Sequence, residues 1–198
     1  MKKIIAKPAA LSFLLVSGVI AAKPAGDTIQ AKFRAQNGSV QIAGSSSLHD
    51  WRETSDKGTG EATFTITNDK ISGVSGLSFS VAAKSLKSEH TMMDNNTYKA
   101  LQADKNPNIT FTAATANVTP VDASTYTIKA TGKLTIAGNT RETDVVGTGR
   151  LNPDKSITVT GSKKFKMSDY GIKPPTAMFG TIKTGDDITI SYNLKFVK

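Results

Sequence analysis

The sequence predicts an all-β fold, and three observations carry that reading. Apolar residues alternate with Thr, Ser and Lys over most of the chain, which places them on opposite faces of strands. The alternating runs are short and are separated by Gly, Asn, Asp and Pro, the residues that turns require. Only Ser88–Phe111 (SEHTMMDNNTYKALQADKNPNITF) carries its apolar residues at helical spacing.

The chain opens on Lys2, Lys3 and Lys7, followed by Ala9–Ala22 (AALSFLLVSGVIAA), an uncharged apolar run of about 14 residues. A membrane helix needs roughly 20. With small residues at Ala21 and Ala22, residues 1–22 are predicted to be an export signal and 23–198 a single mature domain, periplasmic or secreted. An uncleaved anchor is the alternative. About 176 residues then remain, enough for one full core. The formal charge of +9 drops to about +6, with 22 basic against 16 acidic side chains. That balance suits solubility, or attraction to an anionic lipid surface. The absence of cysteine excludes disulfides and thiolate metal sites.

The first strand covers Thr28–Ala35, with Ile29, Ala31 and Phe33 on one face, and Asn37-Gly38 then reads as a hairpin turn into Ser39–Ile42. Gly60–Thr67 alternates through Ala62, Phe64 and Ile66, and Asn68-Asp69 turns the chain into Ile71–Ala83. There Leu77, Phe79 and Val81 share a face, and Gly73 and Gly76 predict a bulge or bend. Ser88 is the expected cap of a helix near residues 88–102, with Met92, Met93, Tyr98 and Leu101 on its apolar face. Asn106-Pro107 ends it, and Ile109, Phe111 and Ala113 resume the alternation.

Tyr126–Ile136 places Tyr126, Ile128, Leu134 and Ile136 opposite Lys129 and Lys133. Ala137-Gly138-Asn139 turns into Glu142–Leu151, whose inward set is Val145, Gly147, Gly149 and Leu151. Asn152-Pro153-Asp154 leads to Ile157–Met167. Asp169–Gly180 is too long and Pro-rich for a hairpin turn, and Ile188–Val197 is the last strand. Eight or nine short strands make a sandwich or a barrel, which periodicity does not separate. Closure has the merit of leaving no open edge.

Ser45-Ser46-Ser47 and His49-Asp50 bring together the residue types of a hydrolase triad. Adjacent strand residues face opposite sides, however, and no Gly-x-Ser-x-Gly elbow exposes a nucleophile. His49 is therefore expected to bond backbone, and the chain is not read as an enzyme. With two histidines and no cysteine, a zinc site would need two carboxylates from elsewhere. The lysines alternate along strand faces and do not cluster with aromatics, which argues against nucleic acid.

Four segments occur in order: Ser45–Trp51 (SSSLHDW), Ser85–Phe111, Gly132–Thr140 (GKLTIAGNT) and Met167–Ile190, the last containing DYGIKPPTAMFG. Together they resemble the YceI-like family of exported polyisoprenoid- and lipid-binding proteins. The resemblance spans essentially all of the chain after residue 22. It implies an eight-stranded antiparallel lipocalin-like barrel, with one short helix, that binds an isoprenoid or other long-chain lipid without a cofactor. The chain departs from the commoner family pattern at Glu89-His90 and Met92-Met93, where many members carry an Arg-Asp pair and an acidic stretch.

A long apolar chain needs a concave apolar lining with a few polar groups at one end. Each buried methylene contributes roughly 0.8 kcal/mol. The expected ligand-binding residues are Leu48, Trp51, Phe79, Met92, Met93, Tyr98, Leu101, Phe111, Met167, Tyr170, Met178 and Phe179. The methionines offer flexible surface for an irregular chain, with ordinary core packing as the alternative. Lys173 or Lys183 is the candidate contact for a headgroup. Transient contact with a membrane surface and a homodimer stay open as further partners. The alternative function is an envelope interaction or stress protein that uses the barrel as a scaffold for a protein partner.

Overall fold

The computed structural model describes residues 27–198, so the expected export signal lies outside the described residues. Eight long strands run up and down: β1 (Thr28–Ser46), β2 (Trp51–Thr67), β3 (Lys70–Ala82), β4 (Asn108–Pro120), β5 (Thr125–Ile136), β6 (Asn139–Leu151), β7 (Ile157–Lys166) and β9 (Ile182–Val197). The two-residue strand β8 (Thr176–Ala177) only adds to the start of β9. Neighbouring strands are antiparallel, and β1 pairs with both β2 and β9, which closes the sheet into the expected eight-stranded barrel.

Asn37-Gly38 is not a hairpin turn. β1 runs straight through it, with Asn37 at φ 55° and the register against β2 shifting on both sides of Gly38. The extra residue is a bulge, and it swaps which residues face inward: Phe33 and Ala35 before it, Val40 and Ile42 after it. Opposite it on β2, Asp56 and Lys57 are both exposed between inward Ser55 and Gly58. β2 therefore starts at Trp51, well before the expected Gly60. Its extra inward positions are polar, Glu53 and Ser55, so no apolar alternation marked them.

The β2–β3 hairpin turns at Asn68-Asp69 as expected, both at positive φ (52° and 56°). The register of β3 shifts near Gly73 and Gly76, the positions expected to bend. Far from the helix, Phe33, Phe64 and Phe196 plug the barrel edge to face, with centroid separations of 5.3 and 5.5 Å. The outer wall carries charged pairs such as Lys129–Asp144 at 2.7 Å. An apolar interior inside a charged wall is the reverse of a barrel embedded in lipid. Among the described residues no helix is long and apolar enough to cross a membrane.

Helix α1 (Thr91–Ala100) lies between β3 and β4, and its N-cap position is His90, not Ser88. Ser88 instead braces the approach to the helix. Its amide and hydroxyl donate to Asp94 Oδ1 at 2.8 and 2.7 Å, and its hydroxyl oxygen accepts the His90 amide at 3.0 Å. Tyr98 holds the other side of the helix by donating to the Leu86 carbonyl at 2.7 Å. At the same end of the barrel a short helical turn (Met167–Tyr170) ends on Gly171 at φ 67°. β9 begins at Ile182, six residues before the expected Ile188, because it pairs with β8.

Candidate functional site: an apolar interior under helix α1

The interior holds two abutting cavities. The one at the mouth, about 260 Å³, lies beneath α1 and is lined mainly by Ile, Met, Leu, Phe and Trp side chains. The deeper one, about 110 Å³, reaches down to the phenylalanine plug at Phe64 and Phe196. Ile42, Ile109, Phe165 and Ile190 line both and form a waist between them. Strand alternation supplies this lining, since every second residue of each strand faces inward. Helix α1 roofs the mouth chamber with Met93, Asn96, Thr97 and Ala100, a spacing that puts all four on one face.

Trp51 forms one side of the mouth. Its indole lies over Gly44, where a β-carbon would come within 2.5 Å of the ring, and its Nε1 donates to the Ser45 carbonyl at 3.1 Å. Only glycine leaves room for that ring. His49 also lines the mouth, and its Nδ1 lies 2.8 Å from the Asp50 carbonyl, so the ring is engaged with backbone and not with a serine hydroxyl.

One buried carboxyl interrupts the apolar lining. Glu53, on the inner face of β2, is 1% exposed, and its Oε1 accepts the Thr97 hydroxyl at 2.6 Å. Its Oε2 has no hydrogen-bond partner. Burial pushes the Glu53 carboxyl up to about 7; the Thr97 bond and Lys87 oppose that shift, and Asp94 reinforces it. Burial also pushes Asp94 up, but the Ser88 hydroxyl, the Ser88 amide and Lys87 outweigh it and hold that carboxyl below its usual range. Among the described residues no group of three or more His, Asp or Glu is arranged to hold a metal ion.

A family profile described as the YceI-like domain matches residues 22–196. The chain belongs to the YceI-like family. Among solved structures this YceI-like barrel is similar to BcnA of Burkholderia cenocepacia, with a TM-score of 0.62 and 18% identity over 80% of this chain and 95% of that one. It is also similar to a polyisoprenoid-binding domain from Saccharophagus degradans implicated in plant cell wall breakdown, with a TM-score of 0.61 and 12% identity over 85% of this chain and 98% of that one. A mutant Campylobacter jejuni YceI protein aligns with a TM-score of 0.50 and 22% identity over 72% of this chain and 85% of that one. At these identities the likeness is one of fold. No match was found among curated proteins.

In this YceI-like barrel Leu48, Trp51, Met92, Met93, Leu101 and Met167 line the mouth chamber, and Phe79 and Phe111 line the deeper one. Four expected residues lie off the lining. Tyr98 is turned aside to the Leu86 carbonyl, and Tyr170 packs edge-on against Phe165 at 5.1 Å. Met178 and Phe179 stand out into solvent from the turn between β8 and β9. Glu53 and the apolar waist are what the sequence reading left out of the expected site. The waist residues sit on the alternating inward positions of β1, β4, β7 and β9. Glu53 sits two residues after Trp51 and two before Ser55, a period-two signal carried by polar residues.

Proposed function

We propose that this YceI-like protein is an exported, non-catalytic lipid-binding protein that holds an isoprenoid or similar long-chain amphiphile inside its barrel. The observation that carries the reading is the pair of abutting apolar cavities, open beneath α1 and ended by the phenylalanine plug. That shape suits a long apolar chain, which gains free energy from each methylene it buries and needs few directed contacts. The family membership supports the same reading, as does the polyisoprenoid-binding description of the Saccharophagus domain.

Chemistry on a bound substrate has little to work with. The His49 ring is engaged with backbone, and the buried Glu53 bonds Thr97 with no base–nucleophile pair beside it. Exposed Leu48 and Met92 at the mouth, with Met178 and Phe179 on the neighbouring hairpin, give the opening an apolar rim suited to transient contact with a membrane surface.

Mass spectrometry of an organic extract, made from protein purified from its native host, tests the proposal. A single class of amphiphile, close to one per barrel, is the expected result. A barrel that arrives empty and takes up no long-chain amphiphile in vitro overturns it.

A further inference from the structure

Among the described residues Glu53 is the one wholly buried ionisable group lining the mouth chamber, and the fold uses only one of its two oxygens. The chamber lining is mainly aliphatic and aromatic, with Asn96, Thr97 and a few other uncharged polar side chains, and Thr97 satisfies only one of the two Glu53 oxygens. A buried oxygen without a partner costs free energy that an apolar residue in the same place would not, so its retention needs a reason. Among the described residues no Lys or Arg lines this chamber. Lys87 sits outside it, 3.4 Å from Asp94, and that pair acts on Glu53 with opposite signs. His49 and His90 line the mouth chamber, and Lys163 lines the deeper one.

We infer that Glu53 selects the polar end of the ligand, hydrogen-bonding an uncharged hydroxyl headgroup and rejecting phosphate and carboxylate heads. The inference rests on the lipid-binding reading of the cavity and names the headgroup class that reading leaves open. A hydroxyl both donates and accepts, as does a carboxylic acid, so one head can complete the unpaired oxygen. Burial favours the neutral acid up to about pH 7. Above that the ionised Glu53 still accepts from a hydroxyl but repels an anion. An anionic head would also lose its water with no cation to replace it. The hydrocarbon tail then runs past Ile42 and Ile190 into the deeper chamber.

The test uses the full chain, stripped of lipid, with geranylgeraniol, geranylgeranyl pyrophosphate and the hydrocarbon phytane as probes at pH 6. Trp51, the single tryptophan, lines the mouth and reports occupancy by its emission. Wild type should bind the alcohol about tenfold or more tightly than the pyrophosphate, the worth of one buried polar pairing. Glu53→Gln, which can still donate and accept, should keep alcohol binding. Glu53→Leu should lose about tenfold for the alcohol while binding phytane as wild type does, which also shows that the variant is folded. Equal alcohol affinity in Glu53→Leu and wild type, or a wild-type preference for the pyrophosphate, overturns the headgroup assignment alone. Failure of wild type to bind any of the three, phytane included, overturns the lipid reading and the assignment with it.

Discussion

The Thr97 hydroxyl donates to Glu53 Oε1 at 2.6 Å, tying the roof of the cavity to its wall. Helix α1 contributes one partner and β2 the other, 44 residues apart in the chain. Thr97→Val would leave both carboxyl oxygens unpaired in a buried setting. The expected loss is about 1–3 kcal/mol of stability, read as a lowered urea midpoint, with Thr97→Ser restoring most of it.

Stability should also depend on pH through Glu53. Its carboxyl is raised from 4.5 to about 7 in the folded chain. Between these values the native state holds a proton that the unfolded chain has released, so stability falls as pH rises through that window and stays reduced above it. Asp94 acts in the opposite sense at lower pH, because its depressed carboxyl contributes stability that is lost as pH falls below 3.8. Urea titrations of wild type and Glu53→Gln at pH 5 and pH 8 separate the two effects. The difference between the proteins should change by on the order of 3 kcal/mol, with wild type losing ground at pH 8.

Ile190 lines both chambers, so Ile190→Trp should close the waist and leave the mouth chamber open. Short-chain alcohols should bind nearly as before. Long chains should lose tenfold or more, since each methylene kept out of the deeper chamber costs about 0.8 kcal/mol. A variant that binds long and short chains in the wild-type ratio would show that ligands do not pass the waist.

A charge on the lining should be felt at either depth. Met93→Asp in the roof and Phe111→Asp in the deeper chamber are each expected to lower retention of a co-purifying lipid. Unchanged retention in a folded variant would place the lipid elsewhere. Met93→Asp is the gentler of the two, because Met93 is half-buried and Phe111 is only 6% exposed.

Asn37 holds φ 55° at the β1 bulge, a conformation that a β-branched side chain resists. Asn37→Val should cost about 1–2 kcal/mol, and Asn37→Gly little or nothing. Thermal melts of the two variants would show the ordering, and equal melts would remove the strain argument.

Most strands were legible in the sequence because their inward faces are apolar. Phe64, Ile128, Leu134, Val81 and Phe196 all fall on the expected side. What was not legible depends on contacts between distant segments. The first half of β2 is hidden because Glu53 and Ser55 occupy inward positions, and their partners, Thr97 and Ser85, lie beyond the next strand. Asn37-Gly38 carries the local chemistry of a tight turn, and only pairing with β2 and β9 holds the strand straight through it. The candidate site was read in the same uneven way. Met93 and Leu101 share the helix face that meets the cavity, whereas Tyr98 is drawn off by a carbonyl that no spacing rule points to.

The bulges on β1 and β2 sit opposite each other, with Gly38 paired to Gly58. On these two strands the inward set changes parity at the bulge, whereas β5 keeps one unbroken alternation from Tyr126 to Ile136. Deleting Asn37 alone would restore plain alternation on β1, with Val40 and Ile42 still facing inward, but it would leave the Asp56-Lys57 bulge on β2 with no matching bulge across the pair.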